Sequence, residues 1–349
     1  MFENQLPYLL QRSNIARIDG ETLLIGDRRT YPWEQSFVPC TTVKEIAQAI
    51  RSMVTQGGGP LQVAMTTMRF LARKIYSGIE PNTISIFLEA SHLLAQARPT
   101  NTTMARTVQR IVAEIGRYYV CNGMREVQGG DLVAFVDEVI DRFEASFDRD
   151  YAAMSDYGIG LLGNQEGILT TCFAEHSFIL TLAKAVEQGK SITVYVPETR
   201  PYLQGARLTA PSLQELGIPT FLITDGMGAH FMREGVITQY LTAADLVAMD
   251  GTVVNKVGTL TNAINCSHYA IPYYPFAVSP DPTKASAQDI EMEERDGSEI
   301  CMCNGTFITH EHVVGKYPAF DIIDPDLVTG IITPRGVVQP ENVKTIYSL

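Results

Sequence analysis

From about residue 155 onward, short apolar runs alternate with segments of helical periodicity, and nothing else in the chain constrains its fold as strongly. The runs expected to be strands are 167–173, 191–196, 219–224, 244–249 and 272–278. The segments expected to be helices are 177–188, 203–216, 228–234 and 258–269. A strand followed by a helix and then another strand returns parallel to the first, so helices come to cover both faces of one sheet.

Before residue 155 the pattern differs. The runs 15–20 and 22–25 flank an Asp19-Gly20 turn signal and read as a hairpin. Thr41 opens a helical pattern in which Ile46 and Ile50 lie four apart, and Gln56-Gly-Gly-Gly-Pro60 breaks it. Helical periodicity resumes over 61–75, 84–97, 101–118 and 131–152. The expected class is therefore α/β. A Rossmann-like parallel-sheet domain over 155–349 follows a smaller, mostly helical domain with a β-hairpin over 1–154.

The net charge of -12 disfavours nonspecific nucleic-acid binding, which needs clustered Lys and Arg to neutralise phosphates. It leaves room for a small anionic ligand, because a few cations in one cleft suffice. No apolar run approaches the roughly 20 residues of a membrane span, and the start shows no secretory signal pattern. Six scattered cysteines then read as free thiols in a reducing, cytoplasmic setting.

Open parallel sheets bind ligands beyond the carboxyl ends of their strands. Cys172, Glu198-Thr199-Arg200, Asp225 and Asp245 all stand at or just past the expected ends. Taken alone, Cys172 reads as a core thiol. Taken with its position, it reads as a thiol whose thiolate the following helix N-terminus would stabilise. Asp225 and Asp245 read either as caps of the turns after their strands or as general acids raised by an apolar cleft. The backbone amides around Gln204-Gly205 would open a helix and seat an anion. Arg98 reads as a solvated surface arginine or as a guanidinium fork for phosphate.

Two further patterns carry less. Gly158-Ile-Gly-Leu-Leu-Gly163 fits a dinucleotide fingerprint, but it follows helix instead of strand and lacks an acidic residue about 20 positions on. It is expected to be an interdomain hinge. Cys301-Met-Cys303 with His310-Glu-His312 has ligand types for zinc, but Asn304-Gly305 between them signals a hairpin turn. No metal and no cofactor are expected.

Several stretches, in this order, resemble the methylthioribose-1-phosphate isomerase family. They are Glu198-Thr-Arg-Pro-Tyr-Leu-Gln-Gly-Ala-Arg-Leu-Thr-Ala210, Leu222-Ile-Thr-Asp225 with Ala229-His230, Ala244-Asp245 through Asn255-Lys-Val-Gly-Thr259, Pro318-Ala-Phe-Asp321 and Ile331-Ile-Thr-Pro-Arg-Gly336. That family also takes in ribose-1,5-bisphosphate isomerases and, more distantly, regulatory subunits of a translation-initiation exchange factor. The resemblance runs from Ile15 to about Val338. It implies that Cys172 and Asp245 are the catalytic pair and that Arg98, Gln204, Asn255 and Lys256 bind substrate and its phosphate. It also implies a homo-oligomer, a dimer by preference, with a small sugar phosphate as partner; charge and apolar run length, as above, add the expectation of neither nucleic acid nor membrane.

The chain departs from the family in three places. The family's methylthioribose branch has Arg-Gly-Ala-Pro where Gln56-Gly57-Gly58-Gly59-Pro60 stands here, so a phosphate-binding cation is missing and Gln56, Gly57 and Gly58 offer backbone donors instead. Thr171 stands where His is frequent, and Leu246 where Arg is frequent. The implied activity is aldose–ketose isomerisation of a 5-substituted ribose 1-phosphate, carrying either a methylthio group or, as in a sister branch, 5-deoxyribose. Ribose-1,5-bisphosphate isomerisation and a noncatalytic regulatory role remain as alternatives. The implied roles are Asp245 as acid to the ring oxygen and Cys172 thiolate as base at C2, with a C2-to-C1 hydride shift left open.

Overall fold

The structure, a computed structural model, describes residues 6–99, 101–123 and 129–348. It contains two compact units, Met1–Arg149 and Asp150–Leu349. Among the described residues no helix is long and apolar enough to cross a membrane.

In the first unit, strands β1 (Ala16–Asp19), β2 (Thr22–Gly26) and β3 (Phe37–Cys40) form an antiparallel sheet in the order β1-β2-β3. Asp19 pairs with Thr22 across the expected turn, where Gly20 takes a φ of 55°. Helices follow at Val43–Arg51, Gly59–Tyr76, Ile84–Ala97 and Thr102–Cys121. The first is started by a capping box: Thr42 accepts from the Glu45 amide at 3.2 Å, and the Glu45 carboxylate accepts from the Thr42 amide at 3.0 Å. Gly59–Tyr76 is buried around most of its circumference. Its Val63, Met68 and Leu71 join Ile46, Phe87 and Ile111 from the other helices in one core.

The helix Gly129–Leu161 is longer than the periodicity over 131–152 predicts. Gly158 and Gly160 belong to its last turn, so the glycine motif is not a hinge loop. Packing explains Gly158: a Cβ there would meet Thr181 Oγ1 at 2.7 Å and the Phe276 ring at 3.1 Å.

The second unit is built on a seven-stranded sheet. Its strands are β4 (Gln165–Leu169), β5 (Ser191–Pro197), β6 (Thr220–Ile223), β7 (Gln239–Ala243), β10 (Tyr273–Phe276), β16 (Ile331–Thr333) and β17 (Gly336–Val338), in the order β17-β16-β10-β7-β4-β5-β6. All neighbours are parallel except β16 and β17. A smaller antiparallel sheet joins β8 (Leu246–Val247), β9 (Val253–Lys256) and β15 (Phe320–Ile323). Between these lie two ribbons: β11 (Glu294–Arg295) pairs with β14 (Tyr317–Pro318), and β12 (Met302–Cys303) with β13 (Thr306–Phe307).

One strand expected from sequence is misplaced. The sheet strand is Gln239–Ala243, while the run 244–249 turns away from the sheet as β8 to pair with β9. Both stretches are largely apolar, so periodicity alone does not separate them. Buried Gln239 also disguises the true strand; its side-chain nitrogen donates to Leu161 O at 2.7 Å, while its Oε1 has no hydrogen-bond partner among the described residues.

Strand order fixes where a ligand can sit. From β4 the chain winds outward through β5 to β6, then returns to the other side of β4 as β7 and continues through β10 to β16. The winding direction therefore reverses between β4 and β7. At such a reversal the connections leave in opposite directions and open a crevice at the carboxyl ends.

Candidate active site

Cys172 stands three residues past the end of β4, and Asp245 two past the end of β7. These strands are adjacent and in register, Leu169 opposite Tyr240, at the point where the winding reverses. Neighbouring strands run about 4.8 Å apart, so the two connections flank one crevice.

Cys172 has a φ of 64°, a left-handed backbone that costs a non-glycine residue about 1–3 kcal/mol. Two threonines hold it there. Its amide donates to Thr199 Oγ1 at 3.1 Å, and its carbonyl accepts from Thr209 Oγ1 at 2.5 Å. Thr199 is itself strained, at φ 62°. Asp225 holds it by accepting from the amides of Thr199 at 2.7 Å and Arg200 at 2.8 Å. Against expectation, Asp225 does not cap the turn after its own strand; both its carboxylate oxygens are engaged by amides of the loop after β5.

Although Cys172 retains some surface exposure, its sulfur is enclosed, and burial pushes the thiol up to about 11. The Lys256 ammonium opposes that shift, as does the hydrogen bond from the Phe173 backbone. The charges of Asp245 and Glu175 add to it. The thiolate expected from the following helix N-terminus is therefore not the resting form. Part of the reason is Glu175, an acidic residue in the first turn of the helix Glu175–Glu187, which offsets the dipole. Iodoacetamide labelling of Cys172, read by peptide mass spectrometry, is expected to be slow near neutrality and to keep rising toward about pH 11. A rate already at its plateau near neutral pH contradicts a buried, protonated thiol.

Asp245 is exposed, and its backbone amide donates to Val254 O at 2.9 Å. The carboxyl does not sit in the apolar cleft expected for it, because the next residues fold away as the β8–β9 hairpin.

Lys256 ends β9 and is 5% exposed. Its Nζ donates to the Tyr317 hydroxyl at 3.4 Å and lies 4.9 Å from the Phe320 ring, 5.8 Å from Tyr317 and 6.0 Å from Tyr202. Three aromatic rings thus cage the ammonium that acts on the thiol. Asn255, buried beside it, donates to Thr259 Oγ1 at 3.0 Å. Asp321, opposite Asn255 in the ladder, accepts from the amides of Gly258 and Leu260 at 2.7 and 3.0 Å, so it starts the helix Thr259–His268 and fixes the Asn255-Lys256 strand end.

Gln204 is buried, and its Oε1 makes no hydrogen bond. The segment after it is a π turn, Gly205–Thr209, before the short helix Ala210–Glu215. The helix opening expected at Gln204-Gly205 is therefore irregular, and Thr209 at its end serves the Cys172 carbonyl. Thr171 bonds with the Tyr240 hydroxyl at 2.6 Å.

Sequence reading missed Glu175, Tyr202, Arg295, Glu299 and Tyr317. Tyr202 donates to Glu299 at 2.5 Å and accepts from Arg295 at 2.9 Å. Burial raises its hydroxyl to about 12. Burial likewise raises Tyr317, and Cys172 adds to that shift, which places this hydroxyl within electrostatic reach of the thiol. Tyr202 lies within a stretch already singled out. Tyr317 carried no local signal, since pairing of β14 with β11 brings it in.

The remaining predicted residues lie in the first unit. Gln56 is buried, Gly57 is exposed and Gly58 is half-buried. The buried Arg98 directs Nη1 to Met53 Sδ at 2.9 Å, so it adjoins the same loop and is not a solvated surface arginine. Thr100, after it, lies outside the described residues.

Known proteins share this architecture. The initiation factor 2 subunit family matches residues 63–340. A methylthioribose-1-phosphate isomerase of Thermosipho melanesiensis is 33% identical over 341 residues, covering 94% of this chain and 96% of the relative. One from Thermotoga maritima is 33% identical over 343 residues, with coverage of 95% and 97%. The crystal structure of 5-methylthioribose 1-phosphate isomerase from Pyrococcus horikoshii OT3 superposes with a TM-score of 0.79 at 26% identity, covering 95% of this chain and 93% of that one. The translation initiation factor eIF-2B delta subunit from A. fulgidus gives 0.76 at 27%, with coverage of 94% and 96%.

Proposed function

This chain belongs to the initiation factor 2 subunit family, alongside the methylthioribose-1-phosphate isomerases, and we propose that it is a sugar-phosphate isomerase turning a 5-substituted ribose 1-phosphate into the ribulose 1-phosphate. The observation that carries this is the crevice between β4 and β7. There the thiol of Cys172 feels the charges of both Asp245 and Lys256.

The chemistry needs two proton positions. Because C1 carries phosphate, the ring opens only if its oxygen is protonated, and the C2 proton must then leave while C1 gains one. The resting site holds its proton on sulfur. In our reading, the bound sugar covers Asp245, excludes water and shifts that proton to the carboxyl, leaving a thiolate beside Lys256. Exclusion of water raises a carboxyl, and the Lys256 cation favours the thiolate, so both halves of the exchange run the same way. Asp245 then protonates the ring oxygen as its bond to C1 breaks, and Cys172 takes the C2 proton to give an enol phosphate; the thiol returns a proton to C1 while the Asp245 carboxylate takes the one on the C2 hydroxyl.

We infer a small uncharged group at C5, methylthio or simple deoxy. Neither the glycine run 56–59 nor Leu246 offers an arginine, which disfavours a second phosphate. A turnover screen comparing the 1-phosphates of 5-methylthioribose and 5-deoxyribose with ribose 1,5-bisphosphate is expected to favour the first two by at least about tenfold in kcat/KM, the scale of one misplaced polar or charged contact. No turnover of any of them would instead favour a noncatalytic subunit role. In deuterated water, label at product C1 supports the proton-transfer route; its absence, with C2 label carried to C1, overturns that route in favour of hydride transfer. The assembly is proposed to be a homodimer.

A further inference from the structure

Beneath the crevice, at the reversal between β4 and β7, runs a line of buried polar side chains that the proposed chemistry does not use. Tyr240 lies on β7 opposite Leu169 of β4. It is 0% exposed, as is Thr259 at the start of the helix Thr259–His268, so each hydroxyl must find its partners inside the protein. The Tyr240 hydroxyl and Thr171 Oγ1 are 2.6 Å apart, and Thr171 also accepts from Asn262 Nδ2 at 3.4 Å. Tyr240 bonds to the Thr259 hydroxyl as well. Thr259 in turn donates to the Lys256 carbonyl at 2.6 Å and accepts from Asn255 Nδ2 at 3.0 Å.

The direction of these bonds follows from what each atom can do. A carbonyl only accepts, so Thr259 gives its one proton to Lys256 O. Tyr240 must then donate to Thr259, and Thr171 to Tyr240. The side-chain nitrogens of Asn262 and Asn255 only donate, and they enter the line at Thr171 and at Thr259. Every hydroxyl donates once and none is left over. Burial holds the Tyr240 proton far above a tyrosine's ordinary range, so this donor persists throughout the neutral range. The line therefore runs without a break from the residue before the Cys172 thiol to the residue whose ammonium acts on that thiol. Tyr273 provides a contrast. It is equally buried and stacks on Tyr240 with ring centroids 4.5 Å apart, but its hydroxyl pairs with Thr242 at 3.0 Å, a bond that involves neither Cys172 nor Lys256.

We propose that Tyr240 is a positioning residue for the isomerisation, its hydroxyl fixing, through Thr171 and Thr259, the spacing between the Cys172 sulfur and the Lys256 ammonium. It acts from under the site and touches no substrate. The spacing matters because a Coulomb interaction falls with distance, and because proton transfer to and from carbon tolerates little misplacement. The assignment deepens the isomerase reading and rests on it for the roles of those two groups.

The test uses the full-length protein. Tyr240→Phe keeps the ring and its stack on Tyr273 and removes the hydroxyl alone. It is expected to lower kcat by about tenfold to a hundredfold and to change KM by less than about twofold. The Cys172 alkylation curve should move to higher pH, the direction that loss of the ammonium itself would give, but by less, because the cation is displaced and not removed. Tyr273→Phe deletes an equally buried hydroxyl from the same stack. It is expected to lower thermal stability by a similar amount while kcat and the alkylation curve stay as in the unaltered protein. Thr259→Val breaks the line at its next link and should repeat both effects, and Thr259→Ser should restore most of each. Combining Tyr240→Phe with Thr259→Val should cost little more than either alone, since both cut one line. A folded Tyr240→Phe with unaltered kcat and alkylation curve overturns the assignment, as does a Tyr273→Phe that matches it in both. Should Tyr240→Phe not fold, unaltered kcat and alkylation in Thr259→Val overturn it. A shifted alkylation curve in Tyr240→Phe, with no turnover of any sugar phosphate by the unaltered protein, keeps the link from Tyr240 to the thiol and removes the isomerase reading instead.

Discussion

Replacing Cys172 by serine lowers turnover by about a thousandfold, within the range expected when a positioned acid or base is removed, and leaves substrate binding nearly intact. Serine keeps the shape, and the bonds that hold position 172 go to backbone atoms: the amide to Thr199 and the carbonyl to Thr209. The left-handed turn therefore survives, and the loss reports on the sulfur alone. Asp245→Asn is expected to match that loss with little effect on stability, because the side chain is exposed. It carries a second signature. The Asp245 charge raises the thiol, so the asparagine variant should alkylate at Cys172 at lower pH while turning over far more slowly. A change that merely loosened the fold would not link faster labelling to lost catalysis in this way. Wild-type kcat in either variant removes the assigned roles.

Lys256→Met is expected to lower kcat/KM by about a hundredfold, a loss of roughly 2.7 kcal/mol in transition-state stabilisation. The ammonium is the leading influence that lowers the thiol, and without it burial, Asp245 and Glu175 all act upward. Methionine suits the ring-lined space left by the ammonium, between Phe320, Tyr317 and Tyr202, so the fold should tolerate it. The pH profile gives the sign. The thiol's folded value already lies above its ordinary one, and removing Lys256 moves it further up, so the alkylation curve shifts to higher pH. Lys256→Arg should restore part of the shift but less of the rate, because a planar guanidinium does not occupy the cage as a point charge does. An unshifted alkylation profile in Lys256→Met would separate Lys256 from the thiol.

The placement of Cys172 and Asp245 at strand ends was legible in the sequence, since a parallel sheet opens its crevice at its carboxyl edge; their pairing as acid and base is the proposal above. The polar connection after β5 was recognisable too, and it supplies the threonines and the Asp225-held loop that keep Cys172 in place. Strand assignment failed at 239–249, where two apolar stretches lie end to end and only pairing partners distinguish sheet strand from hairpin. The thiol's protonation state was also misread, because a helix start is visible in sequence while the enclosure of a sulfur is not.

By itself, the order of residues determined the fold class, the division into a helical first part and a sheet-based second part, and the chemical types available at the strand ends. These follow from periodicity and turn chemistry, which act over a few residues. Only the tertiary structure decided that β4 and β7 are neighbours at the reversal, that Tyr317 and Phe320 close around Lys256, and that Tyr240 bonds to Thr171 beneath the site. Those contacts join residues dozens of positions apart, and burial and Coulomb interactions depend on distance in space, which local sequence patterns do not encode.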